Sequence, residues 1–331
     1  MQVRKFIILA LLALLLVSVV PLLAQDATRE YTDSLGRTVE IPVQPQRIHS
    51  MQDNTITLML VELGAPVTSS MGRLAADGTP FLRSVNQVYN VDFDNSDIQY
   101  TGARGEPNLE LILAAEPDLI ISDPFSAEEI LPELEAIAPV LVLDTVAPAL
   151  EFYREVADVS GYLDVYEARL AGYEALIEDA NGWIGDHDYT YSMPQAAGGQ
   201  FFINSTYGAL SFVLDDLGFT IVGEGAAMRE RGELFSQQVS PEVLPEQDAD
   251  FVFDTYRIDL GQNGGPQVWA EDAQEVFPAY CDALSACREG RLILLPREFA
   301  FPTSFRTLEM NIHYVVSHVA GRPGVVDPNE E

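Results

Sequence analysis

Lysine is almost missing from this sequence, because the only one among 331 residues is Lys5. The rest of the chain therefore excludes a Schiff-base lysine and a phosphate-binding loop of the Gly-Lys-Ser/Thr type. The sequence also lacks a Gly-x-Ser-x-Gly motif, which excludes the strand-to-helix nucleophile turn of the α/β-hydrolases. These absences predict that the protein is not an enzyme.

Histidine is scarce as well, with only His49, His187, His313 and His318. The last two are five positions apart, so they do not share one helical face. Zinc or manganese capture needs several histidines and carboxylates that converge. We therefore expect no cofactor and no metal held directly by side chains.

Basic residues number 18 against 51 acidic ones. Because Arg4 and Lys5 are the only charged residues before position 26, the rest of the chain has 16 arginines and a net charge of −35. Such a chain repels nucleic acid and anionic membrane surfaces, so neither is an expected partner. The acidic residues are scattered, which is typical of a highly soluble surface.

Residues 1–25 have the parts of an export signal. Arg4 and Lys5 give it a positive start, residues 6–20 form an apolar run, and Pro21 ends that run. The run is shorter than the about 20 residues of a membrane-spanning helix. We expect cleavage and an exported protein in the periplasm or at the outer face of the cytoplasmic membrane; an uncleaved anchor is the alternative. No cysteine near the cleavage point offers a site for a lipid.

The remaining length exceeds one ordinary core and predicts two lobes. Short apolar strands alternate with helical segments on both sides of a long helical stretch, which indicates parallel sheets covered by helices. We predict an α/β protein with two Rossmann-like lobes, rich in parallel strands, joined by a long rigid helix. The predicted segments are an N-terminal lobe at 26–147, a helical linker at 148–186 and a C-terminal lobe at 187–331.

The linker reads as almost continuous helix from residue 149 to residue 184. One apolar stripe repeats at helical spacing and is expected to pack in the core; it consists of Tyr166, Leu170, Tyr173, Leu176 and Ile177.

Ligands of open α/β sheets bind beyond the carboxyl ends of the strands. We therefore expect five loops to lie near the mouth of one cleft between the lobes: 51–54, 70–73, 122–125, 254–257 and 297–301.

Arginines beside glycine or aromatic residues are conspicuous in so acidic a chain. Together they would form an anion-accepting pocket with aromatic walls; the alternative is that each pairs with a surface acid. The arginines are Arg73, Arg104, Arg229, Arg231 and Arg297.

The two cysteines, Cys281 and Cys287, are expected to form a disulfide in an exported protein. Six helical residues rise about 9 Å, whereas a disulfide needs Cα atoms within about 7 Å. The bond therefore requires the chain to turn between them; two free thiols are the alternative.

Four motifs follow one another in the order found in a known family. Residues 32–37 read Thr-Asp-Ser-Leu-Gly-Arg, 106–112 read Glu-Pro-Asn-Leu-Glu-Leu-Ile, 117–121 read Pro-Asp-Leu-Ile-Ile, and 239–244 read Val-Ser-Pro-Glu-Val-Leu. The chain thereby resembles the substrate-binding proteins of siderophore, haem and cobalamin ABC importers. The resemblance implies two α/β lobes and only small closure around the ligand.

The resemblance also implies partners and contact residues. One glutamate in each lobe, Glu110 and Glu242, would dock into arginine pockets of the ABC transporter permease, which works with its ATPase. The turn around Arg104 is most similar to that of ferric hydroxamate binders, where this arginine meets the iron-bound oxygens. Phe125, Phe299 and Phe301 stand near the family's aromatic positions, and Tyr207 and Tyr256 complete the predicted ligand-binding residues. Iron would be held by the siderophore.

We thus predict an exported, monomeric protein that captures a ferric siderophore and delivers it to an ABC permease. Three alternatives stay open: a haem or cobalamin carrier of the same fold, an extracellular enzyme acting on a small molecule, and a binding module that feeds a sensor.

Overall fold

The computed structural model describes residues 27–145, 147–260 and 264–320. The predicted leader lies outside these residues. Within them, no helix combines the length and the apolar character that a bilayer crossing requires.

Sixteen strands and fourteen α-helices are described. The strands are β1 (Thr28–Thr32), β2 (Thr38–Pro42), β3 (Ile48–Ser50), β4 (Val67–Leu74), β5 (Pro80–Phe81), β6 (Gln99–Ala103), β7 (Glu106–Pro107), β8 (Leu119–Ser122), β9 (Val140–Val142), β10 (Thr190–Ser192), β11 (Pro194–Ala197), β12 (Gln200–Asn204), β13 (Thr220–Ile221), β14 (Ser236–Gln238), β15 (Phe251–Tyr256) and β16 (Leu292–Pro296). The helices are α1 (Leu58–Leu63), α2 (Val85–Tyr89), α3 (Leu109–Ala114), α4 (Pro124–Ala127), α5 (Leu131–Glu135), α6 (Ala149–Ser160), α7 (Leu163–Ile184), α8 (Gly208–Asp216), α9 (Gly223–Glu230), α10 (Pro266–Val276), α11 (Tyr280–Ala283), α12 (Ser285–Arg288), α13 (Arg297–Ala300) and α14 (Phe305–Val319).

Two parallel sheets organise the two halves of the chain. The first has the order β7-β6-β4-β3-β8-β9. Five neighbouring strands of this sheet run parallel: β6, β4, β3, β8 and β9. The second has the order β13-β10-β15-β16 and is wholly parallel. The predicted α/β fold with parallel-rich sheets is therefore confirmed, whereas the boundaries at 147 and 186 stay predictions.

The C-terminal half also contains an antiparallel sheet, β11-β12-β14, that the strand pattern did not predict in full. The apolar run at residues 200–203 predicts β12 as a strand, whereas β11 and β14 were not predicted. The hairpin between β11 and β12 turns at Gly198 and Gly199, both with positive φ, which is the conformation that two-residue hairpin turns need.

The long helical stretch is interrupted once, so the expectation of one nearly continuous helix is corrected. Gly161 has a φ of 82° and ends α6, and the Tyr162 backbone N–H bonds to the Ala157 carbonyl at 2.8 Å. This left-handed glycine is a common helix stop. Helix α7 then continues for 22 residues, and its stripe residues Tyr166 and Tyr173 are buried, as predicted.

Helices α7 and α14 join the two halves through one apolar core. The ring of Phe305, at the start of α14, lies 5.1 Å from the ring of Tyr153 and 5.4 Å from that of Tyr166. The same core cluster includes Leu119 of the first sheet and Phe253 of the second. Because close-packed side chains transmit strain, we expect the lobes to move little about this core.

A buried carboxylate crosses the same junction. Glu62 in α1 accepts hydrogen bonds from the backbone N–H groups of Phe305 and Arg306, both at 2.8 Å, and from the Tyr153 hydroxyl at 2.6 Å. A negative side chain at a helix N-terminus satisfies N–H groups that lack partners within the helix. Glu62, Tyr153, Phe305 and Arg306 are called the Glu62 joint below.

Candidate functional site

Loops at the carboxyl ends of the parallel strands face each other between the two sheets, as the sequence predicts. On one side, a π-helical turn at Asp53–Thr57 follows β3, and β5 follows β4. On the other side, residues 257–259 follow β15, and α13 follows β16. The halves meet where Arg83 Nε lies 3.4 Å from Asp259 Oδ2, and where the Tyr89 and Ser304 hydroxyls are 3.2 Å apart.

Four arginines converge at this meeting point: Arg73, Arg83, Arg257 and Arg297, called the arginine cluster below. Arg73 donates to both carboxylate oxygens of Asp53, at 2.9 and 3.1 Å. Arg257 donates to both oxygens of Asp259, at 2.9 and 2.6 Å, and the same carboxylate pairs with Arg83. Planar two-point pairing of this kind holds a guanidinium in a defined direction.

Arg297 differs from the other three. Among the described residues no carboxylate lies within 4.0 Å of its guanidinium. Its Cζ atom stands 5.6 Å from the centre of the Phe301 ring, which is a cation–π distance. The guanidinium of Arg297 thus contacts an aromatic ring, and no acid among the described residues neutralises its charge.

The cluster carries the electrostatic marks of crowded positive charge. Burial and the charge of Arg297 lower the pKa of Arg83; Arg257 and Arg73 lower it further, and Asp259 opposes them. Next to Asp259, burial raises the pKa of Glu298, whose Oε2 accepts from the Ile258 N–H at 3.0 Å. Burial also raises the pKa of Asp259, but hydrogen bonds with Arg257 and Glu298 outweigh this effect and lower it.

A cavity of about 290 Å³ opens beside the cluster in the C-terminal half. Its polar wall includes Arg257 and Arg297, and its aromatic wall includes Phe202, Tyr256 and Trp269. It is called the aromatic cavity below.

The position of Trp269 is set by a buried acid. Its indole Nε1–H donates to Asp254 Oδ2 at 2.7 Å, while the Thr255 N–H donates to Oδ1 at 2.6 Å. Burial raises the pKa of Asp254 to about 8, although both hydrogen bonds lower it.

A second cavity, of about 490 Å³, lies between the two halves and is mostly apolar. Met59 and Phe152 line it from one side, and Phe212, Phe235 and Phe301 from the other. Helix α13 separates the cavities, because Arg297 at its start lines the first and Phe301 just after its end lines the second.

Gly208 permits the close packing between α8 and the segment after α13. It has a φ of 48°, and a Cβ atom there would stand 1.7 Å from the Phe301 carbonyl oxygen. Any other residue would force the backbone at Phe301 or at Gly208 to shift.

The structure brings only some of the predicted ligand-binding residues together. Arg73 and Arg297 belong to the arginine cluster, Tyr256 lines the aromatic cavity, and Phe301 lines the apolar one. Tyr207 lies behind them, buried, with its hydroxyl 2.8 Å from the Thr255 hydroxyl and its ring 5.4 Å from that of Phe301.

Arg104 and Phe125 lie on the N-terminal side and are exposed. The Arg104 backbone N–H bonds to the Gly72 carbonyl at 3.0 Å, which places its loop beside Arg73. Phe125 follows Asp123, whose carboxylate caps α4, and its side chain is 78% exposed. An aromatic ring so exposed at the end of a cleft strand is free to contact a ligand.

Arg229 and Arg231 are not brought to the cluster. Arg229 pairs with Asp215 at 3.0 Å and donates to the Ser205 carbonyl at 2.6 Å. Arg231 is exposed and pairs with Glu224 and Glu233, at 2.7 and 2.8 Å. Each already has acidic partners, which is the alternative that the sequence left open. Phe299, the remaining predicted contact, is half-buried and lines neither cavity.

The two predicted docking glutamates are both exposed in the first turn of a helix. Glu110 lies in α3, after Asn108, whose side chain caps the helix. Glu242 lies in a 3₁₀ helix at Pro241–Gln247, after Ser240, which caps it.

Cys281 and Cys287 form a disulfide with their Cα atoms 4.9 Å apart. The chain turns between them because Leu284 is extended between α11 and α12. No group of three or more His, Cys, Asp or Glu side chains that would suit a metal ion occurs in the described part of the chain.

Arg83, Arg257, Asp259 and Trp269 were not singled out individually from the sequence. Arg257 falls at the end of a predicted cleft loop, so its position at the cleft could have been predicted from the sequence. Arg83 and Trp269 lie far from any motif along the chain, and only the fold brings them to the cleft.

A family model for a periplasmic binding protein matches residues 76–297. The chain therefore belongs to this family of periplasmic binding proteins, and the resemblance seen in the sequence is confirmed. The family is defined by binding a substrate.

Two relatives match over three quarters or more of the chain. The probable siderophore-binding lipoprotein YfiY of Bacillus subtilis is 26% identical over 261 residues, covering 75% of this chain and 74% of that protein. The ferric-anguibactin-binding protein FatB of Vibrio anguillarum is 23% identical over 291 residues, covering 84% and 83%.

Solved structures share the fold. Staphylococcus aureus SirA complexed with staphyloferrin B has a TM-score of 0.66 at 20% identity, covering 88% of this chain and 96% of that one. The FhuD protein of S. pseudintermedius has a TM-score of 0.68 at 17% identity, covering 88% and 98%.

Proposed function

We propose that this protein captures a ferric siderophore between its lobes and hands it to an ABC transporter permease. The main observation behind the proposal is the arginine cluster. Two arginines from each half lie close together there, beside the aromatic cavity. Two relatives spanning three quarters or more of the chain are named a probable siderophore-binding lipoprotein and a ferric-anguibactin-binding protein, which favours a ferric siderophore over haem or cobalamin.

The chemistry of such a site is capture without reaction. Guanidinium groups donate hydrogen bonds to the anionic oxygens around the iron, while Phe202, Tyr256 and Trp269 cover the organic part of the ligand. The iron arrives and leaves inside its chelate, as cargo.

Fluorescence titration tests the capture step directly. The purified protein would be titrated with ferric siderophores, haem and cobalamin, and quenching of tryptophan emission would be followed. Trp183 and Trp269 are the only tryptophans, and Trp183 is exposed at the far end of α7, so a Trp183→Phe variant reports from the aromatic cavity alone. Saturable quenching by a ferric siderophore is expected; saturation by haem or cobalamin alone would refute the proposal.

For delivery, we propose that Glu110 and Glu242 seat the protein on the permease. Two exposed carboxylates on separate lobes fix one orientation, and screening by salt weakens them. The experiment measures binding to the transporter in detergent for Glu110→Ala/Glu242→Ala. Glu167→Ala/Glu174→Ala, which removes two exposed acids of α7, is the control of equal charge. Equal binding by both double variants would rule out the assignment.

Delivery of this kind requires export, which the leader at residues 1–25 would provide. Cell fractionation of the full chain, with and without residues 2–25, tests this part of the proposal.

A further inference from the structure

We infer that the cleft selects a ferric chelate with negative charge, bearing catecholate or carboxylate oxygens, over an uncharged hydroxamate complex. The inference rests on the proposed function and narrows its ligand class. It differs from what the turn around Arg104 suggests by motif, so the two expectations can be separated.

The first step is the balance of charge within the cluster. Among the described residues Asp53 forms an ion pair with Arg73 only, whereas Asp259 forms ion pairs with both Arg83 and Arg257. Arg297 has no carboxylate within 4.0 Å among the described residues. The four guanidinium groups therefore have only two carboxylates, Asp53 and Asp259, within 4.0 Å among the described residues, which leaves positive charge in surplus among the paired groups. Asp272 is a further acid in the lining of the aromatic cavity.

The second step is the contrast with the rest of the molecule. The whole chain has a net charge of −33, so an arginine taken at random has many acids within reach. Arg231, for example, pairs with two of them. A surplus of guanidinium groups at the lobe junction runs against this composition and holds like charges close together. Burial, and after it the charge of Arg297, lower the pKa of Arg83.

The third step is what would relieve that repulsion. An anion placed between the halves would contact arginines from both of them at once, since Arg73 and Arg83 come from one half and Arg257 and Arg297 from the other. Arg73 and Arg83 are largely buried, and ionic contacts at buried groups are stronger than at the surface. An uncharged complex leaves the surplus in place and must displace water from the guanidinium groups without an ionic partner.

The aromatic cavity adds a second contribution to ligand selection, because its aromatic side chains can contact a flat group of the ligand. Arg257 and Arg297 share its lining with Tyr256 and Trp269, so one ligand can meet cations and flat aromatic faces together. Catecholate groups combine a flat ring with two anionic oxygens and suit both walls; carboxylate groups use the arginines alone.

The test titrates the Trp183→Phe protein with three ferric complexes. Ferric enterobactin is an anionic tris-catecholate, ferric citrate is an anionic carboxylate complex, and ferrichrome is an uncharged tris-hydroxamate. At least one anionic complex is expected to bind about tenfold tighter than ferrichrome in about 0.05 M salt, with the advantage shrinking in about 0.5 M salt. Ferrichrome binding as tightly as both anionic complexes overturns the inference but leaves the proposed function standing. If none of the three binds, both fail.

Variants connect the selectivity to the cluster. Arg83→Gln and Arg297→Gln are each expected to weaken the favoured anionic complex by about tenfold and ferrichrome by less than about threefold. Arg288→Gln, an exposed position beside the disulfide, changes the net charge equally and is expected to alter neither. Equal weakening of charged and uncharged complexes would show that the arginines act only through structure, and would overturn the inference. Circular dichroism confirms that each variant is folded before titration.

Discussion

The two halves of this protein meet in two regions, the Glu62 joint and the arginine cluster, which differ in how far their charged groups are paired. In the Glu62 joint one buried carboxylate accepts three hydrogen bonds, which stabilise its negative charge. In the arginine cluster four guanidinium groups share fewer carboxylates, and Arg297 has only an aromatic face. A satisfied buried charge stabilises a fold, whereas an unsatisfied one costs stability and is available to a ligand.

The largest effect is expected from breaking the joint. Glu62→Ala leaves the Tyr153 hydroxyl and two backbone N–H groups of α14 without their carboxylate acceptor in a buried site. We expect the free energy of unfolding to fall by about 3–5 kcal/mol, measured by urea denaturation. Glu62→Gln keeps the shape and part of the bonding, so its loss is expected to be smaller. An Ala variant as stable as the parent would mean that the joint does not hold the halves together.

Another buried acid, Asp254, lies outside both regions. It accepts hydrogen bonds from the Thr255 N–H and the Trp269 indole, and no ion pair involves it within the described part of the chain. Its pKa in the folded protein is about 8, above the ordinary value of 3.8, so between these values the folded state keeps a proton that the unfolded state loses. Its contribution to stability is therefore present below pH 3.8 and is lost as pH rises toward 8. We expect a decrease of about 2–3 kcal/mol between pH 5 and pH 7.

Asp254→Asn should remove that decrease, as denaturation at several pH values would show. A parent and variant with the same pH dependence would contradict the assignment.

His49 gives the opposite sign in the other half. It is fully buried, with Nδ1 2.9 Å from the Ser69 hydroxyl, and burial lowers its pKa from 6.5 to about 3. The folded state therefore stays neutral where the unfolded state gains a proton, so stability is lost as pH falls below 6.5. We expect about 1–2 kcal/mol between pH 6.5 and pH 5. In His49→Gln this acid loss should be smaller; an unchanged loss would assign it to other groups.

The smallest effect should come from the cluster itself. Arg297→Gln removes a positive charge that has no acidic partner among the described residues, so the ligand-free protein should change by less than about 0.5 kcal/mol or become slightly more stable. Thermal unfolding without ligand measures this. A loss comparable to that of Glu62→Ala would erase the distinction between the two regions.

Local sequence signals predicted much of the fold. The alternation of apolar strands and helices indicated the two parallel sheets. The Ser-Leu-Gly-Arg sequence at residues 34–37 indicated a turn between two short strands, and the structure confirms the hairpin of β1 and β2. The single helical stretch was wrong at Gly161, because apolar periodicity continues across a left-handed residue that breaks the backbone. The pairing of β11 with β12 was missed because Pro194 and Gln195 do not look like a strand.

The site was predicted less completely than the fold. Arg73 and Tyr256 lie at the carboxyl ends of parallel strands and Arg297 directly follows one, so the carboxyl-end rule placed them at the cleft. Arg83 follows the two-residue strand β5, and Trp269 lies on α10, so neither was within reach of that rule. Arg229 and Arg231 lie near a glycine, Gly232, as Arg104 lies beside Gly105, yet they pair with Asp215, Glu224 and Glu233.

By itself the sequence determined the fold class, the family motifs, the scarcity of cations and the possibility of a disulfide, because these depend on residue type and near spacing. Only the tertiary structure decided which arginines stay paired with acids and which are left in surplus at the lobe junction. That outcome depends on distances between residues far apart in the chain, such as Arg83 and Asp259, and no local pattern records them.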